Sequence, residues 1–112
     1  MLDQGDARRV ARRLGWAPVE EAGHLIGLEK DGANVSLEPG GALELSGAPL
    51  ETIHQTCDDV NEHLREVREV ADRIGAGFIG LGAAPIWSHD DMPLMPKGRY
   101  KLMDSYMEKV GT

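Results

Sequence analysis

Eight residues, Leu50, Ile53, Cys57, Val60, Leu64, Val67, Ala71 and Ile74, recur at alternating steps of three and four, which lays a single apolar stripe along an α-helix. A strand would scatter the same residues over both of its faces, so this stretch has to be helical and needs a surface to cover its stripe. Pro49 stands at the first-turn position that proline favours and Gly75 stands where a helix stops, which predicts a helix from Pro49 to Ile74. Arg65 and Glu69, Arg68 and Asp72, and Glu69 and Arg73 fall four apart on the other side, the spacing of solvated side-chain pairs.

The surface for that stripe has to come from the preceding residues. Between Val19 and Leu45 the pattern changes to short alternating runs broken by Gly23, Gly32 and Pro39-Gly40-Gly41, which predicts antiparallel strands at His24 to Lys30, Ala33 to Glu38 and Leu43 to Ser46. Residues 6 to 14, closed by Gly15, form a short surface helix. After Gly75, the apolar Phe78, Ile79 and Leu81 predict a buried strand, and Pro85 to Gly98 a loop. Arg99 to Val110 predict a last helix with Tyr100, Met103, Tyr106, Met107 and Val110 on one side. The fold class is α+β, an antiparallel β-meander and hairpin packed with a long amphipathic helix.

Charge and size exclude several functions. With 19 acidic and 12 basic residues the formal charge is -7, so the chain repels nucleic acid and anionic membranes. The mostly apolar stretch from Phe78 to Trp87 is about half of what spans a bilayer. The first residues lack the basic start and apolar stretch of a secretory signal, and a single cysteine, Cys57, suits a reducing compartment, so the expected location is the cytoplasm. Cys57 lies on the apolar stripe and is expected to pack and to react slowly.

Carboxylates in the hairpin are the first candidate site. Val35, Leu37, Leu43 and Leu45 alternate with polar residues, and a register pairing Leu37 with Leu45 puts all four on one face and sets Glu38 opposite Glu44. Two facing carboxylates repel unless a cation lies between them or water screens both. Glu51, at the start of the long helix, and His54, one turn on, could face one ion together, or serve as a helix-start residue and a surface histidine. The second candidate, Met95-Pro-Lys-Gly-Arg-Tyr100, places Lys97 and Arg99 at a helix start that suits a phosphate or carboxylate, or makes a solvated basic turn. His89-Asp90-Asp91 reads as polar loop chemistry. The sequence has no P-loop, dinucleotide fingerprint, zinc spacing or nucleophile elbow.

These segments together resemble a known family. Val35-Ser-Leu-Glu-Pro-Gly-Gly-Ala-Leu-Glu-Leu-Ser-Gly-Ala-Pro-Leu-Glu-Thr-Ile-His-Gln-Thr-Cys57 is similar to the signature of the plant and proteobacterial glutamate-cysteine ligases. So are Gly77-Phe-Ile-Gly-Leu-Gly82 with Pro85 and Trp87, Met95 to Tyr100, and Tyr106 to Gly111. The likeness runs in register from about Gly15 to the end. Ala42, Ile86 and Glu108 depart from the family's usual glutamine, lysine and proline.

The resemblance implies a part of a carboxylate-amine ligase sheet of the glutamine synthetase-like kind. It implies ATP activation of the side-chain carboxylate of L-glutamate to an acyl phosphate, then attack by the amine of L-cysteine, with Mg2+ bridging the phosphates. Glu44 matches a metal position, Glu51 a second, and Glu38 is added from the hairpin; Lys97, Arg99 and Trp87 are the substrate- or anion-facing residues. It further implies that residues 1–112 are one segment of a larger catalytic domain, with an acidic strand before it and more strands after it, and that the isolated chain is inactive. Two other readings stand beside it: a non-catalytic module that binds a partner or a metal, and a ligase that uses a different amine.

Overall fold

The computed structural model describes residues 4–83 and 85–111, and side chains from Arg8 onward. Helix α1 (Gln4–Arg13) leads into four strands, β1 (Ala17–Glu21), β2 (His24–Lys30), β3 (Ala33–Glu38) and β4 (Ala42–Ser46). The long helix α2 (Ile53–Ile74) follows, and α3 (Gly98–Val110) comes last. The strands form one antiparallel sheet in the order β1-β2-β3-β4. This is the expected α+β class, with β1 added to the meander.

Turn chemistry explains the meander. Glu21 pairs with His24 and Lys30 with Ala33, leaving Ala22-Gly23 and Asp31-Gly32 as two-residue turns. All four turn residues have positive φ, at 50° and 80° in the first turn and 50° and 83° in the second. Such turns match the right-handed twist of the strands they join. Strand β1 was not anticipated because it contains Pro18, which the ladder tolerates here because β1 lies at the sheet edge.

The β3–β4 register corrects an expectation. Leu37 pairs with Leu43 and Val35 with Leu45, so Glu38 lies opposite Ala42 and Glu44 opposite Ser36. The connection does have an odd number of residues, Pro39 to Gly41, which keeps the four apolar residues on one face. It is centred one residue earlier than expected because Pro39 cannot donate to the ladder and Gly40 and Gly41 take φ of +81° and +76°, closing the turn directly after Glu38. Glu38 and Glu44 therefore share the polar face as diagonal neighbours.

Helix α1 ends in a Schellman closure around Gly15: Trp16 N–H donates to Ala11 O at 2.9 Å and Gly15 N–H to Arg12 O at 3.1 Å. This drops Trp16 onto the sheet, where Ala11, Trp16, Ala33 and Val35 form the buried core, flanked by Leu14, Leu28, Leu43, Leu45 and Ala48. Trp16 Nε1 donates to Glu66 at 2.7 Å and Lys30 Nζ to Glu66 at 3.3 Å, tying α2 across the sheet. A cavity of about 190 Å3, walled by Leu14, Leu28, Leu43, Val67, Val70 and Phe78, remains between them.

Helix α2 starts four residues later than Pro49 suggested. Thr52 is the N-cap, Gln55 N–H donating to its hydroxyl at 3.2 Å while Thr52 N–H donates to the Gln55 side chain at 2.9 Å. Two satisfied donors outweigh a proline's preset φ. Gly75 ends the helix at φ +66°, as its position implied. The apolar stripe is only partly covered: Ala71 is buried, whereas Ile53 is 75% exposed and Leu64 58%. Cys57 is exposed, against the expectation that it packs. On the other side Glu69 and Arg73 do form an ion pair.

The predicted buried strand at Phe78 to Leu81 does not form. Among the described residues no strand lies beside it, and Ile79 is 79% exposed. Helix α3 appears as expected, yet Met103, Tyr106, Met107 and Val110 face outward and Tyr100 alone of that side is buried.

Candidate functional site

The polar face of the sheet, opposite α1 and α2, carries Ser36, Glu38 and Glu44. Across it lies the segment that leads into α3. Lys97 is buried there, donating from Nζ to Glu38 Oε1 at 3.0 Å. The Tyr100 hydroxyl donates to Glu38 Oε2, and Arg99 Nη2 lies 3.6 Å from the same oxygen. Ser36 Oγ donates to Glu38 Oε1 at 2.7 Å. Partial burial pushes the Glu38 carboxyl up, but the Ser36 hydroxyl, Lys97 and Arg99 together more than offset this and hold it below its ordinary value.

Further contacts fix this segment. Gly98 N–H donates to Glu21 Oε1 at 2.8 Å, and Gly40 N–H to Pro93 O at 2.9 Å at the hairpin tip. Arg99 donates to the Tyr100 hydroxyl at 2.8 Å, with its guanidinium carbon 4.8 Å from the ring centre. The Arg99 side chain is nonetheless 63% exposed, whereas that of Lys97 is 8% exposed. Beside them runs a groove of about 430 Å3 lined by Glu21, Gly27, Asn34, Ser36, Lys97 and Arg99. Its floor is low because Gly27 has no side chain; a Cβ there would meet Val35 O at 3.0 Å. The groove also has apolar lining from Val19, Ile26 and Leu28, and a guanidinium at its rim suits a carboxylate or phosphate.

The structure thus unites residues from two separate candidate sites, Glu38 from the hairpin and Lys97 and Arg99 from the basic turn. Glu44 is exposed, accepting from Ser46 Oγ at 3.4 Å. Glu51 is exposed and precedes the Thr52 cap, so it is not in the first helical turn as expected; its N–H donates to Gln55 at 3.0 Å. His54, the second residue of α2, is exposed, and Trp87 is 57% exposed. Among the described residues, no group of three or more His, Cys, Asp or Glu stands close enough to hold a metal ion. Asp91 accepts from the Ser88 hydroxyl at 2.7 Å as part of a turn cap, consistent with loop chemistry. Sequence reasoning missed Tyr100, Glu21 and Gly27 as site residues; its spacing puts Tyr100 on an apolar helix side.

Comparison with known proteins gives this α+β segment its class. The profile of Glutamate-cysteine ligase family 2 (GCS2) matches residues 4–112. The chain belongs to that family. It is 54% identical over 103 residues to the chloroplastic glutamate-cysteine ligase of Arabidopsis thaliana, and 53% identical over the same length to those of Medicago truncatula and Nicotiana tabacum. Each match covers 92% of this chain and 20% of the relative, so the chain spans about a fifth of the length of the curated relatives it matches.

The cytoplasmic expectation does not stand, because these relatives are chloroplastic proteins. A single cysteine suits a reducing compartment, and a reducing compartment is not specific to the cytoplasm.

Proposed function

We propose that this segment forms one wall of the active site of an ATP-dependent ligase joining the side-chain carboxylate of glutamate to the amine of cysteine. The observation that carries the reading is the 53–54% identity, spread over 92% of the chain, to enzymes named for that reaction. Residues 1–112 are then one part of a larger catalytic domain. The four-stranded antiparallel sheet is part of a glutamine synthetase-like active-site sheet, with its polar face toward the substrates.

On this reading each residue has a chemical task. Arg99 binds a substrate carboxylate or a phosphate at the groove rim, Lys97 supports it as a buried charge, and Trp87, exposed in the loop before α3, is a further substrate-facing candidate. Magnesium is held by one or two carboxylates together with phosphate oxygens and water. Glu44 suits that donor set because its carboxylate is exposed on the same polar face, and Glu51 is the second candidate. Glu38 stands apart, since both of its oxygens already face cations or hydroxyls. When bound, magnesium would offset the phosphate charge that builds up as ATP activates the glutamate carboxylate to an acyl phosphate. The groove's task is to orient that carboxylate for the amine.

Phosphate release that requires glutamate, cysteine and ATP together is expected from the full-length protein containing this segment, and none from residues 1–112 alone. Release from the full-length protein with another amine in place of cysteine, and none with cysteine, would overturn the assignment.

A further inference from the structure

We infer that Glu38 is a positioning residue that aims Arg99 through the Tyr100 hydroxyl. This rests on the reading of Arg99 as the group that binds the substrate carboxylate or phosphate. Two cations converge on one carboxylate, and they are held differently. Lys97 is bound directly to Oε1 at 3.0 Å with its side chain only 8% exposed. Arg99 reaches Oε2 at 3.6 Å, beyond a good hydrogen bond, and is 63% exposed. What holds Arg99 is Tyr100, whose hydroxyl accepts from Nη2 at 2.8 Å while donating to Glu38 Oε2.

The direction of these bonds matters. A phenol hydroxyl has one proton to give. Glu38, kept ionised by Ser36, Lys97 and Arg99, takes that proton in a hydrogen bond, so a lone pair of the Tyr100 oxygen is turned toward the guanidinium. The Tyr100 ring, buried at 6% exposure and 4.8 Å from the Arg99 carbon, fixes the plane on which the guanidinium rests. Ser36 sets the rotamer of Glu38 from within β3, and Glu21 pins Gly98. The relay thus runs from a paired sheet strand to an exposed cation, Ser36 to Glu38 to Tyr100 to Arg99. Among the described residues no other hydrogen bond engages the guanidinium, and its remaining N–H groups are open to a ligand.

The test uses the full-length protein. Tyr100→Phe keeps the ring and the Glu38–Lys97 pair but removes the relay, so it should raise KM for the carboxylate substrate about tenfold and leave the magnesium dependence unchanged. In an Arg99→Ala background the same substitution should have no further effect. Glu38→Gln should shift KM in the same direction and combine with Tyr100→Phe less than additively. The inference is overturned if Tyr100→Phe leaves KM unmoved, if its effect persists without Arg99, or if Glu38→Gln changes the magnesium requirement and not KM. Hydrogen exchange of the Arg99 guanidinium provides a readout independent of activity: protection is expected in the unsubstituted protein and loss of it in Tyr100→Phe, and equal exchange in both would overturn the relay. Absence of ligase activity in the unsubstituted protein with protection intact would refute the ligase reading and leave the relay standing.

Discussion

Residues 17–46 and residues 76–111 both carry apolar side chains, but only the first stretch covers most of its own. From Ala17 to Ser46 every strand has a hydrogen-bonded neighbour, and Ala33 and Val35 are buried against Ala11 and Trp16. From Ala76 onward Ile79 is 79% exposed, Ile86 86% and Leu102 72%, while Lys97 and Tyr100 are buried through the Glu38 cluster. The sheet is held by short-range pairing and apolar burial; the tail is held by a few polar contacts, at the Glu38 cluster, from Gly98 to Glu21 and from Gly40 to Pro93. A two-residue turn needs nothing outside itself, whereas a strand at Phe78 to Leu81 needs a neighbouring strand, and among the described residues none lies beside it.

The largest effect should come from removing the core's one large side chain. Trp16→Ala in the 112-residue chain should cost about 3–5 kcal/mol in denaturant unfolding, since it empties the core and strips Glu66 of one of its donors. A loss under about 1 kcal/mol would show that the sheet half does not depend on this cluster.

Acid should separate the halves. The folded-state pKa of Glu38 is lowered, so its contribution is complete above the unfolded carboxyl value of about 4.3 and is lost as pH falls through the lower folded value. The Tyr100 ring resonances should therefore move toward their unfolded positions at a higher pH than the Val35 amide loses protection. Simultaneous loss would mean that the two regions unfold as one.

The smallest effect should lie in the tail. Ile79→Ala should change the stability of the 112-residue chain by less than about 0.5 kcal/mol. In the full-length parent, where we propose that the remaining domain covers this stretch, the same substitution should cost about 2 kcal/mol or more. Equal small effects in both would leave Ile79 a solvent-facing residue.

The same contrast explains what could be read from the sequence. Strands β2 and β3 were legible to the residue because Gly23 and Gly32 punctuate them, and the helical period of α2 gave its existence and its Gly75 end. Its start is ambiguous in the sequence because Pro49 competes with the Thr52–Gln55 box, and so is the hairpin register because two adjacent glycines allow two centres. The buried strand failed because burial depends on a neighbour that periodicity does not contain. Glu38, Lys97 and Arg99 were each visible as charged residues near turns. That they meet across 59 residues of chain was not, since only the fold brings β3 under the segment before α3. Tyr100 looked like one more apolar-side residue until its hydroxyl had a partner.

The central claim, that the sheet's polar face is a ligase active-site wall, is tested most directly at Glu44. In the full-length parent Glu44→Gln keeps size and hydrogen bonding while deleting one charge from an exposed strand position. Turnover should fall about a hundredfold and the magnesium needed for half-maximal rate should rise. Glu69→Gln, on the outer face of α2 beside Arg73, should change neither. Equal turnover and equal magnesium dependence in the two variants would contradict the account and make Glu44 an ordinary surface glutamate.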